Sequence, residues 1–308
     1  MKKKVLVALQ SFNEYSELPM KLLTQANMDI VLNKLGHRLN QAEIIELGTD
    51  CDGIIAGVET YDENVLENLP KLKCISRSGV GIDSIDVEKA KEKGIAILNT
   101  PDVVIQPVAE MTVAMIFDLL RLLTLHTNLL RSGQWKKQAG QLLMGRKVGI
   151  IGLGRIGKRV SEMLKCLNAD VSGFDIYPDH QWAKMNDVKI SSLQGIIKES
   201  DIVCIHVSFS KENPFTLGKD EISQMKNDSI LINTSRGQVI DDKALYEALK
   251  SGKLRGAGLD VFSNEPYYGP LCEFDNVVLT PHISTLTKES RAEMEIQAVE
   301  NLLRYFRS

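Results

Sequence analysis

An arginine, a glutamate and a histidine each stand just past a short apolar run in the last third of the chain. "ILINTSRG" sets Arg236 after one run, "GLDVFSNEP" sets Asp260 and Glu265 after the next, and "VVLTPHIS" sets His282 after the last. A guanidinium holds a carboxylate through two parallel hydrogen bonds. An imidazole passes a proton to or from an oxygen near neutral pH. A carboxylate beside that imidazole fixes its orientation and favours its protonated form. Taken singly, Arg236 suits a surface ion pair, Glu265 a solvated loop acid and His282 a capping donor. Their shared position after successive apolar runs is what points to chemistry.

A second stretch suits a phosphate ligand. "KVGIIGLGRIGKRV" (147–160) spaces Gly152, Gly154 and Gly157 between a β-branched run and a helical pattern. Such glycines permit a tight turn and bring backbone N–H groups to a pyrophosphate at a helix N-terminus. The next apolar run ends at Asp175 in "VSGFDIYP". A carboxylate there accepts both hydroxyls of an adenosine ribose and repels a 2′-phosphate, so the pattern favours NAD over NADP.

These residues need a frame that carries several strand ends to one edge. Short apolar runs alternate with helical patterns along the whole chain, which predicts α/β architecture with parallel sheets. The first series of strands is expected at Lys4–Leu9, His37–Asn40, Gly53–Gly57, Leu72–Arg77 and Ile95–Asn99, with amphipathic segments near 18–35, 41–47, 62–69 and 86–93. The second series is expected at Val148–Ile151, Val171–Phe174, Ile202–Val207, Ile230–Asn233, Gly258–Phe262 and Val277–Leu279. Between them one long helix is expected over 104–131, apolar on most faces and therefore buried on most faces, within one chain or against a second copy. The expectation is two doubly wound parallel-sheet domains. In such sheets, ligands sit outside the carboxyl ends of the strands.

Bulk properties narrow the function further. The chain has 308 residues, 44% of them hydrophobic, enough for a core in each of two domains. A net charge of −3 with mixed signs gives no electrostatic footprint for nucleic acid. Five scattered cysteines without C-x-x-C spacing argue for reduced thiols in a cytoplasmic protein and against a zinc site, so no metal is expected. The apolar run in "MKKKVLVALQ" is too short for a signal peptide. Glu110, Asp118, Arg121 and His126 argue against a membrane span in the most apolar stretch.

The ordered motifs "RSGVGIDSID" (77–86), "VAEMTVAMI" (108–116), "GIIGLGRIGKRV" (149–160), "NTSRGQVIDDKALYEAL" (233–249), "GAGLDVFSNEP" (256–266) and "TPHIS" (280–284) resemble the D-isomer-specific 2-hydroxyacid dehydrogenase family over essentially the whole chain. The resemblance implies NAD-dependent interconversion of a D-2-hydroxy acid and its 2-keto acid. It makes His282 the acid/base, Glu265 its partner and Arg236 the carboxylate anchor. It takes Gly152, Gly154, Arg155, Ile156, Gly157, Asp175, His206, Val207, Thr234 and Asp260 toward the cofactor, with Asp260 at the nicotinamide carboxamide. It also assigns the substrate to Arg77, Arg236 and the backbone N–H groups of Val80 and Gly81. A flavodoxin-like substrate-binding domain is implied from 1–100 plus 287–308, a Rossmann NAD-binding domain from 101–286, and a homodimer around the long helix. Within the family the motifs are most similar to the phosphoglycerate dehydrogenase branch, so 3-phosphoglycerate/3-phosphohydroxypyruvate is the first substrate expected. Glycerate or lactate comes second. A dinucleotide-sensing binding protein on the same fold is the rival from another class. Formate dehydrogenases of this fold pair the histidine with glutamine, which Glu265 opposes. Ser208 and Phe209 stand where many relatives have Pro-Leu, and Ser284-Thr285 where small residues are common, which bears on pocket shape.

Overall fold

The computed structural model describes residues 2–209 and 215–307. The chain divides into two compact units, Met1–Val104 with Leu286–Ser308, and Ile105–Thr285.

In the first unit the chain runs β1 (Lys4–Val7), α1 (Leu18–Gln25), β2 (Asp29–Leu32), α2 (Gln41–Gly48), β3 (Gly53–Ala56), α3 (Glu63–Glu67), β4 (Cys74–Arg77), α4 (Val87–Glu92) and β5 (Ala96–Leu98). The strands form one parallel sheet in the order β2-β1-β3-β4-β5. β2 corrects the expectation of a helix to 35 followed by a strand at 37–40. Asn27 takes a left-handed φ of 55° and the Met28 N–H bonds back to Leu23 O at 3.1 Å. That is a helix stop with asparagine in the position that glycine usually fills. It frees Asp29–Leu32 to pair with β1, with Ile30 and Leu32 packed on one core and Val31 on the other.

The second unit runs α5 (Ile105–Arg121), α6 (Leu123–Arg131), β6 (Lys147–Ile151), α7 (Arg155–Cys166), β7 (Asp170–Phe174), α8 (His180–Met185), β8 (Lys189–Ile190), α9 (Leu193–Glu199), β9 (Ile202–Ile205), α10 (Lys219–Gln224), β10 (Ser229–Asn233), α11 (Asp242–Lys250), β11 (Leu254–Leu259) and β12 (Val277–Leu279). Its sheet is parallel, ordered β12-β11-β10-β9-β6-β7-β8. β9 and β10 are buried along their whole length, as central strands covered on both faces must be. The two-residue edge strand β8 was not foreseen.

The long helix is two helices. Leu122 sits at φ 56°, a conformation costing an L-residue roughly 1–2 kcal/mol. The Asp118 carboxylate compensates by accepting the Thr124 N–H at 2.8 Å and its hydroxyl at 2.5 Å. α5 buries Val108, Ala109, Met115, Ile116, Leu119 and Leu120, whereas α6 has no buried residue.

The chain then returns to the first unit as α12 (Lys288–Arg307). Ala298, Val299 and Leu302 are fully buried with Val5, Val7 and Ile55, each large side chain contributing about 1.5–3 kcal/mol. Ser76 Oγ donates to Ala298 O at 2.7 Å and Asn301 Nδ2 to Asn99 O at 3.0 Å, tying the end of the chain to β4 and to the loop after β5.

Candidate active site

The glycine turn joins β6 to α7. Gly152 sits at φ +95°, and a Cβ there would meet His206 O at 2.5 Å. A Cβ on Gly157 would strike Gly152 O, so the helix starts hard against the turn. Gly154 faces open space, which leaves room for a pyrophosphate at the exposed start of α7, where Arg155 and half-buried Ile156 follow. Asp175, just past β7, accepts the Leu153 N–H at 2.8 Å through Oδ2 and the Tyr177 N–H at 2.9 Å through Oδ1. Its carboxylate is thereby fixed beside the turn. These residues fit a dinucleotide.

His206 and Val207 follow β9 and close over Gly152. His206 is only half-buried, yet both imidazole nitrogens are shut off from solvent with no hydrogen-bond partner among the described residues. Burial pushes its pKa down to about 4, so the ring is neutral at physiological pH. In the loop beyond it Ser208 is exposed, while Phe209 packs against the core around β9 and β10.

At the end of β10, Asn233 folds the chain into a turn. Its Oδ1 accepts the Ser235 N–H at 3.0 Å and hydroxyl at 2.8 Å, and its Nδ2 donates to Arg236 O at 2.8 Å. Only 1% exposed, Asn233 is a positioning residue that sequence reasoning missed, although asparagine at a strand end is a turn signal. The Arg236 guanidinium donates to Ser235 O at 2.8 Å. Any side chain at Gly237 would collide with the Phe262 backbone, so the Arg236 turn lies directly on the loop after β11. Thr234 turns its hydroxyl to Thr112 of α5 at 3.0 Å.

The loops after β11 and β12 meet. Glu265 Oε1 accepts the Phe262 N–H at 3.1 Å, and Oε2 lies 2.9 Å from His282 Nδ1. Nε2 is the ring nitrogen left for a substrate oxygen. His282 has φ 54° and is about half-exposed, so the imidazole stands out from a strained turn. A cavity of about 330 Å³ borders the pair, walled by Phe262, Tyr267, Cys272 and Pro281.

Asp260 is fully buried, and its carboxylate accepts Thr280 Oγ1 at 2.5 Å and the Ile283 and Ser284 N–H groups at 2.8 Å each. The expected carboxamide partner thus finds its protein contacts in the turn that carries His282.

Arg77, Val80 and Gly81 belong to the first unit, at and beyond the end of β4. Val80 and Gly81 form no backbone N–H hydrogen bond with other described residues. Asn99 Nδ2 donates to Val80 O at 2.9 Å and Thr100 Oγ1 accepts the Gly79 N–H at 2.8 Å, which shapes the loop.

The family model for the NAD-binding domain of D-isomer specific 2-hydroxyacid dehydrogenases matches residues 113–284. The chain belongs to the D-isomer-specific 2-hydroxyacid dehydrogenase family. A glyoxylate reductase of Korarchaeum cryptofilum is 36% identical over 86% of this chain and 82% of its own length. A hydroxypyruvate reductase of Thermotoga maritima is 34% identical over 89% of this chain and 90% of its own. A D-3-phosphoglycerate dehydrogenase of Methanocaldococcus jannaschii is 38% identical over 82% of this chain, but only 49% of its own length is matched. Among solved structures, D-lactate dehydrogenase of Aquifex aeolicus, complexed with NAD and lactic acid, superposes with a TM-score of 0.86 at 27% identity, covering 99% of this chain and 96% of that one. The protein is therefore an NAD-dependent D-2-hydroxyacid oxidoreductase. Among the described residues no helix is long and apolar enough to cross a membrane.

Proposed function

We propose that this dehydrogenase reduces a small unphosphorylated 2-keto acid, glyoxylate or hydroxypyruvate, to its 2-hydroxy acid. The Glu265–His282 pair at 2.9 Å carries the mechanistic reading. A bound NADH would supply the hydride that the keto carbon receives. His282 gives the Nε2 proton to the carbonyl oxygen as it becomes a hydroxyl, and recovers a proton from solvent afterwards. Glu265 keeps the ring oriented through Nδ1 and balances its charge while protonated. Arg236 holds the substrate carboxylate.

Arg77 supports an unphosphorylated acid over the phosphorylated one expected first. Its guanidinium turns back on its own loop, donating to Ser78 O, and its charge bears on buried Glu59. A dianionic phosphate wants cations presented outward. The relatives matched over most of their own length also carry glyoxylate and hydroxypyruvate in their names. A keto-acid panel with NADH tests this. The expected order places glyoxylate or hydroxypyruvate ahead of 3-phosphohydroxypyruvate in kcat/KM, and the reverse order rejects it. No turnover with any acid, alongside tight NADH binding, leaves a dinucleotide-sensing protein instead. Exposed Leu123, Leu130, Trp135, Leu142 and Met144 support a homodimer, which sedimentation equilibrium checks.

A further inference from the structure

At the carboxyl ends of β3 and β4 lies a charge cluster that the mechanism does not use. Ala56 and Arg77 are register partners on these strands, and the Ser78 N–H continues the ladder to Ala56 O at 2.8 Å. Glu59, only 3% exposed, folds back over this end. Its Oε2 accepts the Gly57 N–H at 2.7 Å, and a Cβ on Gly57 would meet both carboxylate oxygens within 3.2 Å. Two guanidiniums flank it. Arg38, on an exposed loop, reaches Val58 O. Arg77 reaches Ser78 O and lies over Gly79, where even a methyl group would touch it. The fully buried Tyr61 completes the cluster.

Burial pushes the Glu59 carboxyl upward, and the Glu59 and Gly57 N–H groups, Arg38 and Arg77 oppose it. The Tyr61 hydroxyl is pushed far up by burial first and by the Glu59 charge next, with Arg77 and Arg38 opposing. Each group thus registers the others. A carboxylate is costly to bury unless cations offset it. Here two cations act on one buried anion beside the 78–81 loop.

We propose that Glu59 is a specificity-determining residue: its buried carboxylate offsets the charge of Arg38 and Arg77 beside the 78–81 loop and so disfavours substrates with a phosphorylated tail. The inference rests on the proposed preference for an unphosphorylated acid. It assigns Glu59 no contact with substrate. The residue acts through the charge and placement of Arg77.

The experiment compares kcat/KM for 3-phosphohydroxypyruvate with that for hydroxypyruvate in wild type, Glu59→Gln, Arg38→Gln and Glu59→Gln/Arg77→Gln. Glu59→Gln removes the negative charge that offsets the two guanidiniums and should raise the phosphorylated-to-unphosphorylated ratio roughly tenfold, a gain that shrinks at high ionic strength. Arg38→Gln removes one positive charge at an exposed position and should lower the ratio severalfold. The double variant should lose most of the gain. A purely structural role for Glu59 would depress both substrates alike and leave the ratio where it was, which overturns the proposal. If Glu59→Gln fails to fold, an unchanged ratio in Arg38→Gln overturns it equally. A wild type that prefers the phosphorylated acid rejects the substrate reading, while the shift on Glu59→Gln still decides the role of Glu59.

Discussion

Asp260 Oδ2 accepts the Ser284 N–H at 2.8 Å from a site with no solvent exposure. With Ile283 N–H and the Thr280 hydroxyl on Oδ1, the carboxylate grips both sides of His282. A buried side chain at the end of one strand thereby sets the backbone of the next loop.

Asp260→Asn tests that grip. An amide offers two donors where the turn also offers donors, so some buried N–H groups lose their acceptor, at about 1–3 kcal/mol each. The expected result is a fall in kcat of roughly 10²-fold, the scale for a misplaced catalytic group, with the NADH dissociation constant changed far less. A loss confined to NADH binding would return Asp260 to the carboxamide contact alone.

The Glu265–His282 pair is separable by a double-mutant cycle. His282→Gln should depress kcat by roughly 10²–10⁴-fold. Glu265→Gln preserves shape but replaces the carboxylate that faces Nδ1 at 2.9 Å with a neutral amide. The ring then loses its fixed orientation, and kcat should fall by roughly tenfold or more, with the NADH dissociation constant nearly unchanged. The double variant should be little worse than His282→Gln alone, and fully additive losses would break the pairing.

Asp175 is the residue proposed to select the cofactor. Its two hydrogen bonds from Leu153 and Tyr177 N–H leave the carboxylate charge beside the glycine turn. Asp175→Ala should weaken NADH binding and raise the NADPH-to-NADH ratio of kcat/KM by at least tenfold, because ribose acceptors and anionic repulsion go together. Equal use of both cofactors by the wild type would refute the assignment.

His206 sets an acid limit on stability. An unfolded imidazole takes its proton near pH 6.5, whereas the buried ring waits until about pH 4. The unfolded state therefore binds more protons across that window, and stability falls as pH drops through it. Thermal unfolding of the cofactor-free protein from pH 7 to 4.5 should show His206→Asn losing less than wild type, by about 2 kcal/mol. Parallel losses would show that the ring charges without penalty.

Much of this arrangement was legible in the sequence because the cues are local. Alternating apolar runs and helical patterns disclose parallel α/β units, since a strand covered on both faces must be apolar throughout. The glycine spacing and Asp175 mark a dinucleotide turn for a similar reason, as a tight βα turn tolerates few residues. Arg236, Glu265 and His282 were readable as strand-end groups. Local cues misled where two structures share one pattern. The apolar spacing of 18–35 suits a continuous helix as well as helix, stop and strand, and the left-handed Asn27 chose between them. Leu122 broke the long helix in the same way, with Asp118 absorbing part of the cost. Tertiary structure alone decided the rest. The hydrogen bonds of Asp260 reach 20 to 24 residues along the chain, and the Glu59 cluster joins loops whose proximity depends on the β3–β4 register. Partners that far apart are brought together by strand pairing, which leaves no spacing signature between them in the sequence.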